Sequence, residues 1–376
     1  MRPAAPRSVL LMARELTLGG SERQLCEMAR ALDPARFRTH VGSFRPGGIR
    51  ARELEAAGVP LVTIPLRSFL SPPDLWASVR VLRDYVRRQQ ISVVHGFDPP
   101  SCMFLGLAAP FIRPAVVLTS QRNHQQVRKP AARFSIRISH RIADGIVVNC
   151  EAMRDHLVAD EHLKPERIHL CYNGLDTERF RRMASPPSGL VPADAMVVGT
   201  LCALRPEKNL SVLLRAFAAC LPSYPRLFLL LVGSGPEQPR LQAEAVQLGI
   251  AGRCRFEPTV ADVVPWLSLM DIFVLPSRFE ALPNALMEAM ACGCAPVASR
   301  VGGTPELIAP GATGFLFQSD DVNTLVGHLG VLLNDAGLRR QIGERAVARI
   351  RSGFSLRASA DRLGEIYAER MTGVPS

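Results

Sequence analysis

The chain has 376 residues, 47% of them hydrophobic and 21% charged, and carries a net charge of +11. That length can hold two ordinary cores, and that apolar content excludes a disordered chain. No apolar run reaches the roughly 20 residues that a membrane-spanning helix needs. The first apolar run, residues 8–12 (SVLLM), is short and followed by charge. It reads as a strand, not as the core of a cleaved signal. Gly19 and Gly20 then form a loop, and Ser21 is placed to cap a helix with Gln24 as its partner three residues on. Further first-half strands are expected at residues 39–43, 61–64, 92–95, 115–119 and 145–149. Residues 183–192 (MASPPSGLVP) collect proline and serine and read as a linker. Beyond it the same grammar returns, with strands expected at 195–201, 226–232, 254–257, 271–275, 295–298 and 314–317.

Helical patterns separate most of these strands, and the strands are almost continuously apolar. That combination predicts parallel sheets covered on both faces, an α/β chain of two doubly wound domains over residues 1–185 and 186–353. The final stretch, 354–376, reads as a helix polar on one face and able to pack back on the first domain. Open parallel sheets bind ligands beyond the carboxyl ends of their strands. Two such domains facing each other make a cleft, and the chemistry is expected there.

The charge is unevenly placed. Residues 1–185 hold 28 Lys and Arg against 17 Asp and Glu, which is the whole excess; residues 186–376 hold 17 of each. No carboxylate occurs between Asp98 and Asp144, a stretch that carries Arg113, Arg122, Arg128, Lys129, Arg133, Arg137 and Arg141. Such a field attracts phosphates of lipid, nucleotide or nucleic acid. Nine scattered cysteines show no paired framework, which fits a reducing cytoplasm. Cys292 and Cys294 have no histidine or second cysteine pair beside them, so no metal site is expected.

Two clusters carry chemistry. In residues 276–299 (PSRFEALPNALMEAMACGCAPVAS), Glu280 and Glu288 stand seven apart around a helix that Pro283 is placed to open. Free backbone N–H groups near Leu282 and Asn284 would make an anion site at that helix start. Glu288, inside the helix, can accept two hydrogen bonds from a cis-diol such as ribose. The plain alternative is a loop charge and a solvated helix charge. The second cluster is Arg205-Pro206-Glu207-Lys208-Asn209, directly after a strand. Only three lysines occur among the 45 basic residues, and one of them is Lys208. Its compact charge suits a phosphate oxygen. Gly233 and Gly235 lack the third glycine of a dinucleotide fingerprint, which disfavours a dehydrogenase and favours a turn near a nucleotide.

Taken together, GGSER (19–23), YNGLD (172–176), LRPEKNL (204–210), LVGSGP (231–236), the Glu280–Glu288 segment, VGGTPELI (301–308) and TGFLF (313–317) resemble the retaining nucleotide-sugar glycosyltransferases of the GT-B fold, family 4. The resemblance implies two facing Rossmann-like domains with an interdomain cleft, the first on the acceptor side and the second binding the donor. It implies that Lys208 neutralises the donor diphosphate, that Glu288 binds the ribose, and that Glu280, Leu282 and Asn284 orient the transferred sugar. Gly19 and Gly20 would let the first-domain loop approach donor phosphate and acceptor. It also implies transfer with retention through an oxocarbenium-like state, without a protein nucleophile, metal or other cofactor. UDP is the commoner expectation for the donor, with GDP the alternative.

Three positions depart from the family pattern. Ala203 stands where an arginine is usual, with Arg205 a shifted substitute. Ala281 replaces the usual glycine. Gln121 or Arg122 takes the place of an acceptor-side histidine, with His124 displaced and His95 a second candidate.

In the expected helix opened by Pro130, Arg133, Arg137 and Arg141 recur every four residues beside Phe134, Ile138 and Ile142. That pattern fits an anionic membrane surface, hence a cytoplasmic protein peripheral on the inner face, with a glycan or polyprenyl-diphosphate-linked acceptor. The alternative is a core-facing apolar stripe beside a solvated basic one. Nucleic acid is disfavoured, because the basic region has a single aromatic. Competing functions are a nucleotide-sugar epimerase or phosphorylase on the same frame, and a non-catalytic sugar-nucleotide-binding scaffold.

Overall fold

The computed structural model describes residues 5–17, 19–122 and 130–372. His124, Arg128 and Lys129, named above, lie outside the described residues. The chain divides into two compact units, residues 1–174 with 356–376, and residues 175–355.

In the first unit, strands and helices alternate as β1 (Arg7–Ala13), α1 (Gly20–Ala31), β2 (Phe37–Ser43), α2 (Ile49–Ala56), β3 (Leu61–Thr63), α3 (Pro72–Arg88), β4 (Ile91–Gly96), α4 (Pro99–Ala108), β5 (Val116–Gln121), α5 (Pro130–Ile142), β6 (Gly145–Val148), α6 (Glu151–Ala159) and β7 (Ile168–Leu170). All seven strands are parallel, in the order β3-β2-β1-β4-β5-β6-β7. The order reverses between β1 and β4, which makes a switch point at their carboxyl ends. Val9, Leu10, Leu11 and Met12 are fully buried, since helices cover both faces of the sheet. The short β7 has no expected strand behind it: in IHL the polar His169 interrupts the apolar run.

The last helix of the chain, α14 (Leu356–Thr372), belongs to this unit. Its Leu363, Ile366 and Tyr367 are fully buried among Leu25, Met28 and Phe37. Each such side chain contributes roughly 1.5–3 kcal/mol by leaving water. The start of α1 differs from expectation. Gly19, not Ser21, is its N-cap, and no side chain caps it. Gln24 instead reaches across to the 172–176 segment, where its amide donates to Gly174 O at 2.8 Å and accepts from Gly174 N at 3.0 Å.

The second unit runs β8 (Met196–Leu201), α7 (Leu210–Cys220), β9 (Leu227–Val232), α8 (Gln238–Gln247), β10 (Cys254–Glu257), α9 (Val264–Leu269), β11 (Ile272–Leu275), α10 (Asn284–Ala291), β12 (Ala295–Ser299), α11 (Thr304–Leu307), β13 (Phe315–Phe317), α12 (Val322–Asn334) and α13 (Ala336–Gly353). Its six parallel strands lie in the order β10-β9-β8-β11-β12-β13. The reversal falls between β8 and β11. The residues just before β8 are tied down on this unit. Arg182 donates to Met270 O at 2.9 Å, and Met183 N donates to Ser268 Oγ at 3.0 Å.

Candidate active site

The second unit's site is built at the carboxyl ends of β8 and β11, the two strands that flank its switch point. After β8 the chain turns through a short 3-10 segment, Pro206–Lys208, and Asn209 takes a left-handed φ of 53° before α7. After β11 the chain runs through Ser277 and Glu280 to Pro283, which is the N-cap of α10 and not its first helical residue. The two loops meet in an ion pair: Lys208 Nζ lies 2.6 Å from Glu280 Oε1, with the side chains 20% and 11% exposed. Ser277 Oγ donates to the same carboxylate oxygen at 2.7 Å. Burial is the largest single influence and works against the lysine's charge, but Glu280, Cys202 and Glu207 together raise its pKa.

A second tie holds the same loops. Arg278 N donates to Glu207 O at 2.8 Å, and Asp320 accepts from both Arg278 and Asn209 at 2.9 and 3.0 Å.

Two glycines make this edge possible. Gly302 has φ +49°, and a Cβ there would lie 1.9 Å from Glu280 O. Gly233 has φ +142°, and its Cβ would lie 1.8 Å from Cys202 O. Backbones therefore cross within contact at Glu280 and just beyond the end of β8, where no side chain fits. Glu288 lies inside α10 and is 1% exposed; Leu282 is also buried. Arg205 shares the β8 loop but turns outward, 63% exposed and 4.0 Å from Glu207. The structure thus brings Lys208 and Glu280 together and does not bring Arg205 into that pair.

In the first unit, the carboxyl edge holds Gly19 and Gly20 after β1 and Arg122 after β5. The Glu22 side chain covers Gly19. Arg122 is 7% exposed, and its guanidinium lies 4.5 Å from the centre of the Phe97 ring. It donates to Asn173 Oδ1 at 2.9 Å, in the YNGLD segment, and to Ser120 Oγ at 3.4 Å. Burial pulls its pKa down. His95, a candidate acceptor-side residue in the sequence, is a core histidine. It is fully buried, with Nδ1 2.8 Å from Tyr367 Oη and Nε2 2.8 Å from Ser120 Oγ. Both ring nitrogens are occupied, so it has none left for a substrate.

Ser277 and Asp320 escaped the sequence reading. Ser277 carried a signal, standing three residues before Glu280. Asp320 carried none, since only the fold carries it to Arg278. Among the described residues, no group of three or more His, Cys, Asp or Glu could hold a metal ion.

Two parallel-sheet units, one with a lysine–glutamate pair at its switch point and a buried acid in the following helix, define a GT-B-type glycosyltransferase frame. Comparison with known proteins agrees. Residues 184–349 match the sequence model of glycosyl transferases group 1, and residues 18–179 match that of glycosyltransferase family 4. The chain belongs to this group 1, family 4 class of glycosyltransferases. A D-inositol 3-phosphate glycosyltransferase of Saccharomonospora viridis is 35% identical over 243 residues, covering 61% of this chain and 56% of the relative. Its counterpart in Streptomyces scabiei is 31% identical over 246 residues, covering 61% and 55%. The chain therefore spans a little over half the length of these curated relatives. Among solved structures, Anabaena Alr3699/HepE in complex with UDP-glucose is similar with a TM-score of 0.84 at 22% identity, covering 96% of this chain and 99% of that one. A glycosyltransferase from Rickettsia africae gives 0.85 at 19% identity, covering 98% and 99%. At such identities the likeness speaks to the fold.

Proposed function

We propose that the chain transfers a sugar, with retention of configuration, from a UDP-sugar to a glycan or lipid-linked acceptor in the building of a surface polysaccharide. The Lys208–Glu280 pair carries this reading. It places one ammonium and one carboxylate at the carboxyl ends of the strands flanking the switch point, where an open sheet binds ligands. Lys208 would give its charge to the leaving diphosphate, and Glu280 would turn to the sugar hydroxyls. Glu288 would take the ribose. The similar Anabaena protein was solved with UDP and with UDP-glucose, which supports uridine as the base. The leaving diphosphate can itself accept the acceptor's proton, so the chain need supply no nucleophile and no metal. A thermal-shift screen of UDP, GDP, ADP and their sugars tests the donor. At one hundred times its Kd a ligand adds about 2.7 kcal/mol. UDP compounds should therefore raise Tm by several degrees and the others should not. A chain stabilised by none of them would end this reading.

The first unit supports a membrane-facing placement. Helix α5 buries Ile136, Ser139 and His140, while Phe134, Ile138 and Ile142 are 66%, 40% and 41% exposed. The apolar stripe therefore faces outward, not into the core, beside exposed Arg137 and Arg141. No helix among the described residues is long and apolar enough to cross a membrane. We infer that α5 lies on anionic lipid, with its apolar side chains dipping in and its arginines on phosphates. Changing Phe134, Ile138 and Ile142 to serine should reduce co-sedimentation with phosphatidylglycerol vesicles at least ten-fold. Unchanged sedimentation would remove the membrane from the proposal.

A further inference from the structure

The second unit holds a cavity of about 550 Å³ that the proposed reaction does not use. It lies at the amino edge of the sheet, away from the carboxyl ends that carry Lys208 and Glu280. Asp271, directly before β11, and Ala291, Cys292 and Gly293, directly before β12, form one side. One face of α13 forms another, through Ala336, Arg340, Glu344, Val347 and Arg351. These positions follow helical spacing over four turns, so the cavity is a groove about 22 Å long at 1.5 Å per residue. Its floor is tight because α13 rests on the Gly293 turn. A Cβ on Gly343 would lie 2.4 Å from Gly293 O.

The lining is unusual in charge. Five arginines, Arg181, Arg182, Arg339, Arg340 and Arg351, face only two carboxylates. One of those, Asp271, already accepts from Val197 N at 2.9 Å. Arg182 and Arg339 are held by backbone carbonyls, of Met270 and Leu332, which position a guanidinium without neutralising it. Arg181 pairs with the exposed Glu178 at 3.3 Å. Among the described residues, Arg340 and Arg351 have no ion pair. Asp335 caps α13 by accepting from Leu338 N at 2.8 Å, the first turn contains no further acid, and Arg339 and Arg340 follow at once, at the helix end where the macrodipole disfavours cations. The second unit, residues 175–355, holds 17 Lys and Arg against 16 Asp and Glu, so this concentration is local and not a by-product of a basic domain.

We propose that this groove binds a ligand bearing two or more phosphate groups, at a site separate from the donor's. Guanidinium forks match phosphate oxygens, and the length of the groove suits separated phosphates better than a single anion. Two sources share that chemistry, a free diphosphate and the headgroup of a lipid that carries two phosphates.

The test uses the full chain and inorganic pyrophosphate, followed by calorimetry at low salt. K208A removes the donor-side phosphate contact, and R340Q/R351Q changes the groove at two exposed, unpaired positions that the fold does not lean on. Binding should survive in K208A within about two-fold and weaken at least ten-fold in R340Q/R351Q. R340E/R351E should abolish it, with far-ultraviolet circular dichroism unchanged. Absence of binding in the wild type, loss in K208A, or retention in both arginine variants would overturn the site. Failure of the UDP screen above would leave this result untouched, because the two sites share no residue. Vesicles containing cardiolipin, whose headgroup carries two phosphates, are then tested on the F134S/I138S/I142S background, so that the apolar stripe of α5 cannot contribute. Sedimentation that falls with R340Q/R351Q assigns the phosphates to lipid, and sedimentation indifferent to it assigns them to a soluble diphosphate.

Discussion

Lys208→Ala should reduce sugar transfer roughly 10²–10³-fold, the loss typical of removing one preorganised group from a developing oxyanion. The lysine is 2.6 Å from Glu280 before any donor arrives. On the proposed function the pair would hold both side chains in place until the donor arrives, when the diphosphate would take over the lysine and the sugar hydroxyls the carboxylate. K208R should not rescue. A planar fork delivers its charge in a different geometry from the compact ammonium that meets Glu280 Oε1 at 2.6 Å. E280Q keeps the shape and loses the charge, so it should lower kcat more than it raises KM.

The double variant K208A/E280A should be little worse than either single one, because the two groups act as a unit. The pair is mostly buried, so truncating one partner strands the other's charge and lowers stability as well. Thermal melts must accompany the kinetics to separate the two effects. Transfer in K208A within three-fold of wild type, on a protein that melts normally, would remove Lys208 from the reaction.

The strands were legible because each is a short, almost continuous apolar run bounded by glycine, proline or charge. Twelve were expected, and each overlaps a strand of the structure. The exception, β7, reads IHL, and His169 breaks the short apolar run that marks the equally short edge strands β3 and β13. Helix starts were less legible. Ser21 has the chemistry of a cap, but the chain enters α1 two residues earlier, and Gln24 is used for a tertiary bond to Gly174. Local residue type could not reveal that competition.

The Lys208–Glu280 contact spans 72 residues, and no spacing rule predicts it. The family resemblance named both residues, and the topology β10-β9-β8-β11 is what makes them neighbours. Arg205 illustrates the reverse. A basic residue at a strand end looked like a phosphate ligand, yet the turn that points Lys208 at Glu280 points Arg205 at solvent. His95 was equally ambiguous in one dimension. The helix that buries it, α14, lies 272 residues away at Tyr367.

The histidines of the first unit should make it sensitive to acid. Burial holds His95 well below the ordinary histidine value and holds His140 down at about 3. His169 is lowered to about 4, by burial first and then by Arg370, and burial lowers His40 as well. All four belong to the first unit, while the second has only His328. In the unfolded chain each titrates near 6.5. Below that pH the unfolded state takes up protons that the folded state refuses, so folding stability is complete above pH 6.5 and falls as the pH drops toward the folded values. Each fully buried histidine removes about 1.4 kcal/mol per pH unit in that window. His95 and His140 together therefore remove about 3 kcal/mol per unit, a large share of the 5–15 kcal/mol typical of a domain.

Each unit carries one tryptophan, Trp76 in the first and Trp266 in the second. W266F and W76F variants then report the units separately by urea unfolding. Between pH 7.5 and 5.0 the Trp76 transition should move to much lower urea, and the Trp266 transition should move little. His140→Gln keeps a hydrogen-bonding group between Thr119 and Gln121, its partners at 2.9 and 3.1 Å. It should flatten the Trp76 dependence by about 1.4 kcal/mol per pH unit. A Trp76 midpoint that does not respond to acid would show that these histidines reach solvent in the folded protein, and the buried His95–Tyr367 tie between α14 and the sheet would have to be given up with it.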